Sequence, residues 1–227
     1  MFQVGRPRPA SGAAAKRRRD AVYQGDTELK AAVAIVDSGG ANIASLAAAL
    51  DRLGVNSIRT ADEAPIRSAS HVILPGVGAA ADGMQKLHRA GLIEVIPELT
   101  QPVLGICLGM HLLAEGSEEG AAQCLGVFPA SARKLHGAPG LPVPNMGWCR
   151  VSKVAEHPLF SGMENGGYFY FVHSYALPVN RFTVATSMHA TPMTAVFSHR
   201  NFVATQFHPE RSAAAGAQLL ANFLALR

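Results

Sequence analysis

The run Gly105-Ile106-Cys107-Leu108-Gly109 places a cysteine between two glycines, each two residues away. An apolar stretch, 102–106, leads into it, and a helix over 108–115 leads out. A strand, a Gly-x-nucleophile-x-Gly turn and a helix together present the middle side chain at the carboxyl edge of a sheet. The glycines fit because so tight a turn leaves no room for a Cβ. At the start of the helix, the positive end of the backbone dipole favours a thiolate at Cys107. The N–H of Leu108 points to where an oxyanion would form. A structural cysteine in a glycine-rich turn would show the same local pattern, so the reading depends on finding a base.

A cysteine nucleophile needs one, and the chain has nine histidines. His208 stands out in Gln206-Phe207-His208-Pro209-Glu210, directly after an apolar strand. Residues i and i+2 share a side of an extended chain, so Glu210 can reach the imidazole and fix its tautomer. Pro209 stiffens the link. Pro75-Gly76-Val77-Gly78 follows another strand and opens at the same sheet edge, where α/β proteins place ligands. Its backbone N–H groups can supply a second oxyanion donor. A dinucleotide loop is the rival, but Ala81 stands where a third glycine would fall.

The elements that must carry these residues read as strands alternating with helices. A buried strand over 32–36 is followed by turn chemistry in Asp37-Ser38-Gly39-Gly40. Asn42 can cap a helix whose apolar positions Ile43, Leu46, Leu50 and Leu53 have helical spacing, ending at Gly54. Next come a strand at 57–59, a polar stretch, a buried strand at 71–74 and a helix through Met84, Leu87 and Leu92. The pattern predicts an α/β fold: a mostly parallel sheet with helices on both faces. After Gly116 the texture changes to short strand-like pieces, at 150–154, 168–172, 182–186, 194–198 and 202–207. These read as antiparallel, extending or flanking the main sheet. A helix at 213–226 closes the chain.

Composition sets the bounds. The 227 residues are 48% hydrophobic and 16% charged, ample for one packed domain and too apolar for a disordered chain. No apolar run reaches the roughly 18 residues of a membrane helix, and the stretch after the basic N-terminus is too short for a secretory signal. Three cysteines without a CxxC argue against a disulfide scaffold or zinc ribbon and fit a reducing, cytoplasmic setting. The net charge of +4 hints at nucleic acid, but residues 1–30 hold seven basic and three acidic residues. The remainder holds thirteen of each sign and is neutral. Residues 1–30 therefore read as a flexible basic tail, and 31–227 as the catalytic domain.

Taken together, Gly105 to Met110, Pro75 to Gly78 and Phe207 to Glu210 resemble the class I (triad) glutamine amidotransferases, whose fold is flavodoxin-like. Pro144-Asn145-Met146-Gly147-Trp148 and Tyr170-Phe171-Val172-His173-Ser174-Tyr175 are similar to the HisH group, the glutaminase subunits of imidazole glycerol phosphate synthase. Ser117-Glu118-Glu119-Gly120 and the segment from Asp37 to Asn42 also fit that group. The likeness runs in order over about residues 32–226.

The resemblance implies that Cys107 attacks the side-chain amide of glutamine, His208 shuttles the proton and Glu210 orients His208. Leu108, with Val77 or Gly78, would hold the oxyanion. Gly78, His111, Glu119, His173, Ser174 and Tyr175 would surround the substrate, with Glu119 pairing its ammonium. Ammonia would pass to a (β/α)8-barrel cyclase, HisF, in a heterodimer, with no metal or organic cofactor. Asn42, Met146, Trp148 and Arg211 would contact that partner.

The sequence also departs from the family pattern. His111 replaces the usual Gln, which makes its charge depend on pH; Asn145 replaces a commoner His, Ala41 a Gly and Arg211 a Lys. Cys124 and Cys149 read as small buried hydrophobes.

The alternatives are a triad amidotransferase serving another synthase, a γ-glutamyl hydrolase of the same fold, and a catalytically silent regulatory subunit. The Met146-Gly147-Trp148 and His173-Ser174-Tyr175 segments favour the HisH-like reading over these. The complete Cys107, His208 and Glu210 set argues against silence. The neutral body argues against nucleic acid.

Overall fold

Runs of branched apolar residues form the parallel heart of one large sheet. The computed structural model describes residues 33–37 and 42–227; the expected tail, the turn at Ser38–Gly40 and Ala41 lie outside them. Eight strands run in the order β2-β1-β3-β4-β14-β13-β12-β9. Here β1 is Val33–Val36, β2 Ser57–Thr60, β3 His71–Gly76, β4 Val103–Cys107, β9 Ser152–Lys153, β12 Thr183–His189, β13 Thr191–His199 and β14 Phe202–Thr205. The first five strands of that order pair in parallel and the last three antiparallel.

Alternation along the strands divides the core into two layers. Val33, Ile35, Ile73, Leu104, Ile106 and Val203 face one side. There they meet Leu46 and Leu50 of α1 (Ile43–Arg52) and Leu219, Leu220 and Phe223 of α5 (Ala213–Leu224). Ala34, Val36, Val72, Leu74, Val103 and Ala204 face the other side. Their partners are Ile66 of α2 (Glu63–Ser68), Leu87 of α3 (Ala80–Arg89) and the fully apolar side of α4 (Leu108–Leu113). Helices thus cover both faces, as expected for buried parallel strands.

Two smaller sheets flank this core. One is the antiparallel pair β10 (Tyr168–His173) and β8 (Asn145–Arg150). The other runs β11-β7-β5-β6, with β5 Ala114–Ser117, β6 Ala122–Gln123, β7 Phe128–Lys134 and β11 Tyr175–Ala176.

Several local expectations change. The polar stretch after β2 contains α2, which closes on Ile66 alone and so lacks an apolar stripe. The helix after Cys107 stops at Leu113, because Ala114 turns extended (ψ 176°) and pairs with β7. The helix expected to run through Leu92 stops at Arg89, before Gly91 in the left-handed region (φ 71°). The strand expected over 150–154 is instead the end of β8 followed by β9. The piece at 202–207 is not purely antiparallel: β14 lies parallel to β4 and antiparallel to β13. β5 and β7 also pair in parallel. Asn42 precedes α1 but its side chain makes no cap; it is used elsewhere.

Candidate active site

Three parallel strand ends meet at one edge of the sheet. Gly76 at the end of β3 lies opposite Cys107 at the end of β4, and Ile106 opposite Thr205 at the end of β14. The chain leaves β14 through Gln206 and Phe207 to His208, so the candidate nucleophile and base arrive from adjacent strands.

Cys107 sits at φ 52°, ψ −107°. For a residue with a side chain this costs about 1–3 kcal/mol and persists only where packing enforces it. The enforcement is visible in the glycines. A Cβ on Gly109 would collide with the Leu74 carbonyl oxygen. One on Gly105 would lie 3.0 Å from the Gly109 backbone and 2.9 Å from Leu113 Cδ1. The short helix α4 is thereby pressed onto β3 and β4, and the thiol is held out at the turn.

His208 is fixed at its backbone and at its ring. Its N–H donates to the Tyr170 carbonyl (2.9 Å), and its carbonyl accepts from Ser212 Oγ (2.7 Å). Nδ1 meets Glu210 Oε1 at 2.8 Å, with both side chains buried. The Asn42 carboxamide lies 3.3 Å from the same Nδ1. Burial is the largest single influence on the His208 pKa and pushes it down. Interaction with Cys107 and Glu210 outweighs it and raises the pKa to about 10, which favours the imidazolium. Nδ1 is paired with the carboxylate, while Nε2 is buried and has no hydrogen-bond partner among the described residues. Cys107 Sγ lies 3.8 Å from the Val172 carbonyl oxygen.

The pair opens into a cavity of about 380 Å³, within the range of small-molecule sites. Asn42, Val77, Gly78, Cys107, Leu108, His111, Glu119, Val172, His173, Ser174, Tyr175, His208 and Arg211 line it. Every sequence-derived candidate for the oxyanion and substrate groups is among them. Glu210 stands behind His208. Met146 and Trp148 are elsewhere, on the outer face of β8. Val172 and Gln206 were missed. Gln206 follows the end of β14 and is two residues before His208, a spacing that on a continued strand would have placed it on the same side.

Comparison with known proteins agrees with this geometry. The family Glutamine amidotransferase class-I matches residues 34–226. The HisH subunit of imidazole glycerol phosphate synthase from Pasteurella multocida is 48% identical over 192 residues, covering 85% of this chain and 96% of that protein. The chain belongs to the class I glutamine amidotransferases. The Yersinia pseudotuberculosis HisH subunit is 47% identical, covering 85% of this chain and 98% of its own length. These relatives place this amidotransferase in the HisH group, and so among the glutaminase subunits of imidazole glycerol phosphate synthase.

Solved structures share the fold at low identity. A glutamine amidotransferase from Thermotoga maritima aligns with TM-score 0.57 at 21% identity, covering 84% of this chain and 81% of that one. The structure of PurLQS from the same organism aligns with TM-score 0.62 at 15% identity, covering 85% and 97%.

The pocket walls of this amidotransferase are set by buried, satisfied polar groups. His111 is buried, and burial pushes its pKa down despite the bond from its Nε2 to Gln206 Oε1 (2.9 Å). Burial thus disfavours the charged form of this histidine. His173 is pushed down to about 3, chiefly by burial. Its Nδ1 faces the Tyr175 carbonyl (2.8 Å) and its Nε2 the Asn145 carboxamide (3.1 Å), which fixes a neutral tautomer with Nδ1 protonated. Asn145, in place of the commoner His, thus retains a hydrogen bond to the pocket wall. Glu119 Oε2 accepts from the Ala80 N–H (3.1 Å), which ties it to the start of α3.

Outside the cavity, Met146 is 64% exposed and Trp148 52%. Trp148 lies opposite Tyr170, with rings edge-to-face at 6.2 Å, and the Arg211 guanidinium stands 4.9 Å over the Tyr170 ring. Asn42 and Arg211 line the cavity itself. Cys124 and Cys149 are half-buried rather than buried, and burial raises both thiols, Cys124 to about 11. Among the described residues, no cluster of three or more His, Cys, Asp or Glu is arranged to hold a metal ion, and no helix is long and apolar enough to cross a membrane.

Proposed function

We propose that Cys107, His208 and Glu210 form the glutaminase triad. The observation that carries the reading is their convergence: a strained cysteine at a strand-to-helix turn lines one cavity with an imidazole whose Nδ1 is held by a buried carboxylate. The Cys107 thiolate attacks the γ-amide carbon of glutamine. The oxyanion is held by the N–H of Leu108 and that of Val77 or Gly78, each worth roughly 10²–10³ in rate if preorganised. Collapse breaks the C–N bond, and the proton on His208 goes to the leaving nitrogen, releasing ammonia. Neutral His208 then takes a proton from water as it attacks the thioester. Glutamate leaves, and the thiolate and imidazolium are restored.

Gly78, His111, Glu119, His173, Ser174 and Tyr175 hold the substrate, with the Glu119 carboxylate facing its ammonium. Ammonia passes to a HisF cyclase in a heterodimer. Met146 and Trp148 supply an exposed apolar face for that partner, and Asn42 and Arg211 stand where the face meets the cavity. The domain comprises residues 31–227, and the basic segment 1–30 lies outside it. The free cysteines fit a reducing cytoplasm.

The test is the synthase complex assembled with Cys107→Ala. Glutamine-dependent turnover is abolished while added ammonia still supports the cyclase. Persistent use of glutamine overturns the triad assignment.

A further inference from the structure

The triad leaves one fully buried polar side chain at the sulfur unexplained. Gln206 has no exposed surface. Its backbone N–H is spent on the Ala195 carbonyl (2.9 Å). Its carboxamide is stretched between two groups: Oε1 lies 2.9 Å from His111 Nε2, and Nε2 lies 3.9 Å from Cys107 Sγ, donating to it. A buried primary amide is costly unless paired, so its two ends are committed. The chain also places Gln206 two residues before His208, so one strand end delivers both to the nucleophile.

Which end of the amide faces the sulfur is decided by His111. With its proton on Nε2, neutral His111 donates to Oε1, and the amide must then turn its N–H toward Cys107. With the proton on Nδ1, the amide would invert and set an acceptor oxygen against the sulfur. That would suit a neutral thiol and oppose a negative charge. Burial disfavours the charged form of His111, and the first arrangement matches the contacts, with Oε1 facing His111 Nε2 and the amide nitrogen facing the sulfur. We infer that Gln206 is a positioning residue that holds the Cys107 sulfur in its attacking geometry, with its own orientation set by His111. This rests on the triad reading above. The histidine in place of the family's usual glutamine would then act through Gln206 as well as on the substrate.

The experiment uses the complex with the cyclase and compares wild type, Gln206→Leu, Gln206→Met, His111→Leu and the His111→Leu/Gln206→Leu double variant. Thermal melting and partner binding serve as fold controls. Losing a hydrogen bond to a charged group lowers kcat about 10–100-fold. KM for glutamine stays within about threefold in both Gln206 variants, because the bond is to the nucleophile and not to the substrate. His111→Leu lowers kcat to a similar degree, whatever it does to KM. The double variant falls no more than about threefold below the worse single one, since the donor is already misaimed. Met provides a second shape should Leu fail to pack, and His111→Leu probes the same bond with Gln206 in place. A folded Gln206 variant with kcat near wild type, a loss confined to KM, or fully multiplicative effects in the double variant overturns the inference. Cys107→Ala run in parallel separates the two readings. If it retains turnover, the triad reading fails; if it is dead while the Gln206 variants keep kcat, only the positioning role fails.

Discussion

Gly109→Ala adds one methyl group next to the nucleophile and is expected to separate packing from chemistry. The new Cβ would overlap the carbonyl oxygen of Leu74. Ordinary contact needs about 3.5 Å, so one side must retreat by more than about 1 Å. Leu74 lies in β3, which pairs on both sides with β1 and β4 and is buried at Leu74. The six-residue α4 is the softer body, so it moves and carries Cys107 and the Leu108 N–H with it. A 1 Å misplacement of a catalytic group costs about 10²-fold in rate. Overpacking costs about 1–3 kcal/mol in stability.

Glutaminase kcat in the complex, with urea unfolding alongside, measures both. Gly105→Ala is the graded comparison: its Cβ would press on the flexible end of Leu113 and on Gly109 at 2.9–3.0 Å, so a smaller loss is expected. A folded Gly109→Ala with kcat within threefold of wild type, or a Gly105→Ala that is worse, refutes the reasoning.

Two further outcomes are expected. His208 should titrate near 10 in the free protein and lower in Glu210→Gln, read by NMR of the imidazole carbons. Because its folded pKa lies above the ordinary 6.5, its stabilising contribution is complete below about pH 6.5 and is lost as pH rises toward 10; a wild-type midpoint near 6.5 contradicts the cationic pair. Trp148→Ala should weaken cyclase binding at least about tenfold, as an exposed aromatic anchor does, with the melting temperature little changed; unaltered affinity by calorimetry removes β8 from the interface.

The site was legible where function leaves a short, local signature. The glycines around Cys107 state their own geometry, because a tight turn is set by adjacent residues. His208 and Glu210 do pair, but through a 3₁₀ turn over Pro209–Arg211 and not along the extended chain expected. The parallel heart was legible too, since strands buried on both faces read as unbroken apolar runs such as 103–106. What was hidden depends on partners distant in sequence. The position of β14 beside β4 is decided by pairing and not by its four residues. The end of α4 is decided by β7 drawing Ala114 into a sheet. Asn42 looked like a cap, but its carboxamide lies against His208, across the fold. Gln206 carried no mark of its own, because its meaning lies in His111 and Cys107 on the neighbouring strand and helix.

The place of β14 also matters for how the protein is made. This strand follows all the other described strands in the sequence, yet it is inserted between β4 and β13, in the middle of the sheet. Until it is in place, β4 keeps an open edge and β12 and β13 have no bridge to the parallel strands. His208 arrives on the same segment, so Cys107 meets it only once β14 has paired. The open edge is the cost of that order, a pairing surface exposed to other nascent chains.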